Sequence, residues 1–281
     1  MYPRAQVSAN RLEELLNETP SIVNPVNGVK ETELRGEIEF DNVSFSYPNS
    51  EESVIKNISF KGSKGETIAF IGSTGSGKST LINLIPRFYD VTKGSIKVNG
   101  IDIREYDLKA LRRKIGFIPQ KSVLFTGTIA NNIRFGKKNA STGDIEYSAK
   151  VAEAYDFISK KPKQFNEVLS EGGSNVSGGQ KQRLSIARAL VRKPEIYIFD
   201  DSFSALDFKT DALLRARLKK ETKDAVVLIV AQRIGSIIDA DKIVVLNEGE
   251  IVGIGKHKEL LKECPIYKEI ALSQLSEEEL A

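Results

Sequence analysis

Apolar positions along this chain fall into short runs separated by polar turns, and the spacing within each run predicts its element. Residues 37–46 alternate, with Ile38, Phe40, Val43 and Phe45 apolar, and residues 54–60 follow in the same manner. Both read as strands. Residues 65–71 end in the apolar run Ile68, Ala69, Phe70 and Ile71. That run predicts a buried strand leading straight into a glycine-rich turn. Residues 78–85 then predict a helix stopped by Pro86. From about residue 121 to 193 the pattern is mostly helical, including residues 145–159 and 178–192. Strands return at residues 195–199, 225–230 and 242–246, with helical stretches between them. Such alternation signals a mostly parallel sheet. No internal repeat is present.

The two ends differ from this pattern. Residues 1–35 read as a connector: Arg11, Leu12, Glu13, Glu14, Leu15 and Leu16 have helical spacing, and Pro20 and Pro25 break it. A helix end directly after Met1 points to a piece of a longer polypeptide. The tail from Lys256 reads as helical, and its acidic end, Ser276 to Glu279, as a solvated face.

Composition narrows the class. A chain of 281 residues, 40% hydrophobic and 28% charged, buries a core as one large domain or two small ones. The net charge of +3, from 41 basic and 38 acidic residues, argues against an electrostatic nucleic-acid binder. Cys264 is the only cysteine, so no internal disulfide forms, which fits a reducing compartment. The longest apolar run, residues 225–231, is too short to span a bilayer. The first residues, Met1, Tyr2, Pro3 and Arg4, lack the apolar core of a signal peptide.

Three segments carry chemistry. Gly72, Ser73, Thr74, Gly75, Ser76, Gly77, Lys78 and Ser79 form a phosphate-binding P-loop between the predicted strand and helix. Backbone N–H groups from Gly75 to Ser79 curl around phosphate oxygens, and the helix turns its positive end toward them. Glycines are required because side chains would block that approach. Lys78 supplies a point charge, and the Ser79 hydroxyl is placed for Mg²⁺, with Thr80 beside it. Downstream, Ile196, Tyr197, Ile198 and Phe199 deliver the Asp200 carboxylate at a strand end, the Walker B arrangement that holds Mg²⁺ through water. Ser177, Gly178, Gly179 and Gln180 open a helix with Ser177 as N-cap. Ordinary capping accounts for the serine. The two glycines cost roughly 1 kcal/mol each in a helix, which is easier to understand if a phosphate approaches the backbone there.

These three segments, in this order and spacing, resemble the nucleotide-binding domain of ATP-binding cassette (ABC) transporters, and further matches run through nearly the whole chain from Gly36. The resemblance implies an α/β P-loop NTPase fold: a RecA-like core with a mostly parallel sheet, an antiparallel β subdomain and an α-helical subdomain at about residues 121–193. Residues 36–281 would form that domain, and residues 1–35 the connector from an absent transmembrane domain. Tyr47 sits where the family stacks an aromatic on adenine, although the residues alone read as a half-buried strand tyrosine. Gln120 matches the Q-loop glutamine, which touches Mg²⁺ and senses the γ-phosphate. Ser204, Ala205, Leu206 and Asp207 match the D-loop, which crosses to the partner subunit. Residues 123–129 look like the exporter subclass.

Two positions depart from the family pattern. The glutamate that activates the attacking water is replaced by Asp201, whose carboxylate is pulled back by more than about an ångström. The switch histidine is replaced by Gln232, which donates a hydrogen bond but carries neither charge nor proton. A positioned general base is worth roughly 10²–10⁴ in rate. The resemblance implies a head-to-tail dimer with two ATP-Mg²⁺ at the interface, each between one subunit's P-loop and the other's signature segment. Lys78, Asp200, Asp201, Gln120 and Gln232 then belong to one composite site, and residues 177–180 complete the other. The expectation is a half of a heterodimeric multidrug exporter at the cytoplasmic face of the inner membrane, whose companion half brings the glutamate and histidine. It would meet the membrane only through transmembrane domains. A homodimer with two slow sites and a soluble non-transport ABC ATPase are the alternatives. His257, the only histidine, is expected to cap or pack a helix.

Overall fold

The computed structural model describes residues 2–274, so the acidic stretch at residues 276–279 lies outside it. Helix α1 (Tyr2–Asn17) comes first, with Leu12, Leu15 and Leu16 exposed. Strands β1 (Ile38–Phe45) and β2 (Ile55–Gly62) pair antiparallel. Next come β3 (Thr67–Ile71) and α2 (Lys78–Leu84). Strands β4 (Lys93–Val98) and β5 (Ile101–Asp102) return to the first sheet and give the order β2-β1-β4-β5. After α3 (Leu108–Lys114) and β6 (Ile115–Ile118), a ribbon of β7 (Gly127–Thr128) and β8 (Val168–Leu169) encloses three helices. These are α4 (Ile129–Arg134), α5 (Thr142–Val151) and α6 (Tyr155–Ser159). Helix α7 (Gly178–Leu190) leads to β9 (Ile196–Asp200), α8 (Phe208–Glu221) and β10 (Val226–Val230). Strands β11 (Lys242–Asn247) and β12 (Glu250–Gly255) and helices α9 (His257–Glu263) and α10 (Pro265–Leu272) complete the described chain.

The main sheet has the order β12-β11-β3-β10-β9-β6, parallel except for β12 at its edge. Its strands read as continuous apolar runs because both faces are covered. In β10, Val226, Leu228 and Val230 pack toward the antiparallel sheet and α2, while Val227 and Ile229 pack toward the helices on the other face. Alternation along the strand thus feeds two cores at once.

Several elements depart from the pattern reading. Residues 145–159 form two helices, because the chain breaks at Glu153, whose φ is 55°. Strands β4, β5, β6, β7, β8 and β12 are additional. Strand β12 differs from the inner strands of this sheet: it stands at the edge with no fully buried residue, and Gly253 and Gly255 interrupt its apolar positions. No helix among the described residues is long and apolar enough to cross a membrane.

Candidate nucleotide site

Strand order decides which loops meet. Strands β3, β10, β9 and β6 are consecutive neighbours in the main sheet. Ligands bind at the C-terminal ends of such strands. There β3 delivers residues 72–79, β10 delivers Gln232, β9 delivers Asp200 and Asp201, and β6 delivers Gln120. All of these strands contribute to one cavity of about 440 Å³, lined by Gly72, Thr74, Gly75, Gly77, Lys78, Ser79, Thr80, Gln120, Asp200, Asp201 and Gln232. Val54 and Val230 also line it. Pattern reading missed both, although each stands at the end of a recognisable strand.

The loop's course demands glycine. A Cβ on Gly72 would lie 2.0 Å from the Leu246 carbonyl oxygen. On Gly77, at φ +96°, it would lie 2.7 Å from Ile55 Cδ1. A Cβ on Gly75 would meet nothing within 4 Å, so that turn faces open space. Ser76 is buried and accepts a hydrogen bond from Lys78 Nζ at 3.1 Å. The same ammonium donates to the carbonyl oxygens of Gly72 at 2.8 Å and Ser73 at 2.7 Å. Burial lowers its pKa, against the opposing pull of Asp201 and Asp200. The three hydrogen bonds therefore hold Lys78 Nζ over the loop.

Facing it, the Ser79 hydroxyl donates to Asp200 Oδ1 at 3.0 Å. Serine hydroxyl, aspartate carboxylate and glutamine carbonyl make an all-oxygen donor set of the kind Mg²⁺ takes. Burial pushes the carboxyl groups of Asp200 and Asp201 above the ordinary range. Asp201 is buried and left-handed, with φ 46°. A single oxygen of its side chain, Oδ2, accepts from Gln120 Nε2 at 3.0 Å and from Gln232 Nε2 at 2.8 Å. Two residues far apart in sequence thus converge on one carboxylate.

Tyr47 does not line the cavity. Its hydroxyl shares a 2.9 Å hydrogen bond with Thr80 Oγ1, and its ring stands edge-on to Tyr89 at 5.3 Å. Ser177, Gly178, Gly179 and Gln180 do not line the cavity either. Ser177 caps α7 in a reciprocal box with Gln180. The two glycines divide in character. A Cβ on Gly179 would lie 3.1 Å from the Ala205 carbonyl oxygen, so packing explains that glycine. On Gly178 it would meet nothing within 4 Å, and this exposed helix start has no internal reason for glycine. His257 is buried, and its Nδ1 lies 2.7 Å from the Tyr267 hydroxyl. Burial holds its pKa below the ordinary histidine value.

The ABC transporter family profile matches residues 55–204. This chain belongs to the ABC transporter family. It is similar to the uncharacterized ABC transporter ATP-binding protein YfiB of Bacillus subtilis strain 168, at 44% identity over 278 residues. That match covers 99% of this chain and 48% of YfiB. The putative multidrug export ATP-binding/permease protein YgaD of the same organism is 41% identical over 263 residues, covering 94% of this chain and 45% of YgaD. Among solved structures, a bacterial Atm1-family ABC exporter with ATP bound superposes with a TM-score of 0.92 at 33% identity, covering 98% of this chain and 48% of that one. The chain spans about half the length of the relatives it matches. It is an ABC nucleotide-binding domain with the α/β P-loop fold, an antiparallel sheet and a helical region.

Proposed function

We propose that this ABC domain powers an exporter as one half of a heterodimer, and that the nucleotide site built on its own P-loop hydrolyses ATP slowly. Lys78 and the backbone N–H groups of residues 75–79 bind the phosphates, and Tyr47 stacks on the base. Ser79, Asp200 and Gln120 would hold Mg²⁺, which would neutralise charge on the phosphate oxygens. The similarity to exporters and to a multidrug export protein supports the transport reading. A transmembrane domain preceding residues 1–35 would place this domain at the cytoplasmic face of the membrane.

One observation carries the slow-site reading. The Asp201 carboxylate, in the position of the family's general base, is occupied at Oδ2 by the amides of Gln120 and Gln232. To take a proton from water, a base must present a free lone pair close to that water. Asp201 is short by one methylene, and with Oδ2 engaged only Oδ1 is left to face a water. Gln232 accepts no proton in return. The companion half therefore brings a glutamate and a histidine, and residues 177–180 of this chain complete its productive site. Mixing this domain with the companion domain tests the pairing. Turnover should appear in the mixture at roughly 10² or more times the rate of this domain alone. Equal rates per domain would overturn it.

A further inference from the structure

A second cavity opens between α8 and the sheet, behind the loops that carry Asp201 and Gln232. Its volume is about 340 Å³, within the roughly 300–1,000 Å³ of small-molecule pockets. Phe199 of β9 and Val227 and Ile229 of β10 line it from the sheet. Phe203 stacks on Phe199 with ring centroids 5.0 Å apart. From α8 it is bounded by Ala212 and Ala216, one helical turn apart. Neither alanine is large enough to close the space, and both are exposed.

The polar groups that line it are few. Lys219 has no carboxylate partner among the described residues, and the Ser236 hydroxyl makes no hydrogen bond there. Arg215 donates through Nε to Asp211 at 3.0 Å, while its terminal N–H groups and the Thr67 hydroxyl have no partner among the described residues. Thr222 donates to the Leu218 carbonyl. Asp239 is the one carboxylate in the lining.

We propose that this cavity binds a small monoanion with an apolar body. That body would lie against Val227, Ile229 and the two alanines, and its acid group would reach Lys219, Arg215 and Ser236. Uncommitted donors favour an acceptor group, and Asp239 opposes a second negative charge. Phe199 immediately precedes Asp200, Phe203 follows Asp201 by two residues, and Ser236 follows Gln232 by four. An occupant would therefore pack directly behind the nucleotide site.

The test is a fluorescence titration of the full chain with 1-anilinonaphthalene-8-sulfonate, with and without saturating ATP-Mg²⁺. The expected result is one saturable site per chain that ATP-Mg²⁺ does not displace. Ala216→Phe, which fills the cavity, should weaken binding about tenfold or more, and Lys219→Gln about threefold. Ala212→Leu fills the same space from the neighbouring turn and carries the test if Ala216→Phe lowers the melting temperature. Displacement by ATP-Mg²⁺, or unchanged affinity in both filled variants, would overturn the proposal.

Discussion

The P-loop cleft and the N-terminus of α7 are both candidate phosphate sites, yet they are built in opposite ways. In the cleft several polar groups are already engaged inside the chain: Lys78 with the loop, Ser79 with Asp200, and both glutamine amides with Asp201. At the start of α7 only the Ser177–Gln180 box is closed, and Gly178 faces open space. A cleft built from four neighbouring strands gathers the whole P-loop side of a site within one chain. An exposed helix start with a bare glycine presents N–H groups to something outside the chain. Under the proposed function, this difference is how one domain would serve two nucleotides unequally.

Glycine substitutions separate the two regions most sharply. Gly72→Ala drives a methyl group into the Leu246 carbonyl and should cost about 3 kcal/mol of folding stability, read by urea denaturation. A cost near zero would mean the loop's path is not set by that approach. At the other region, Ser177→Ala combined with Gly178→Asp should leave ATP binding by this domain intact. It should lower turnover of the assembled pair about 10²-fold. Unchanged turnover would remove α7 from the partner's site. The smallest of these effects has the reverse sign. Gly178→Ala should stabilise the isolated domain by about 0.5 kcal/mol, since no contact opposes the methyl group. A loss of stability would show that Gly178 serves the fold rather than an external ligand.

Much of the cleft was legible in the sequence because its parts are contiguous. A strand, a glycine-rich loop and a helix follow one another at residues 65–85, and an apolar run delivers Asp200. The short strands were not legible. Strand β6 is four residues long, and β4 buries only Ile96 and Val98. The break at Glu153 was hidden as well, since a left-handed glutamate leaves no mark in the apolar spacing. Most consequential was the convergence of Gln120 and Gln232 on Asp201. It depends on β6, β9 and β10 being neighbours, and no local pattern encodes strand order. The sequence showed two substitutions, and the fold shows that they touch.

The central claim is that Asp201 is not the base that limits turnover, and one measurement addresses it directly. ATPase activity of the assembled pair should be compared between Asp201→Ala in this chain and removal of the companion's glutamate. Asp201→Ala should retain activity within about threefold of the unmodified pair, while loss of the companion's glutamate should cost roughly 10²–10⁴. Comparable collapse in both variants would contradict it.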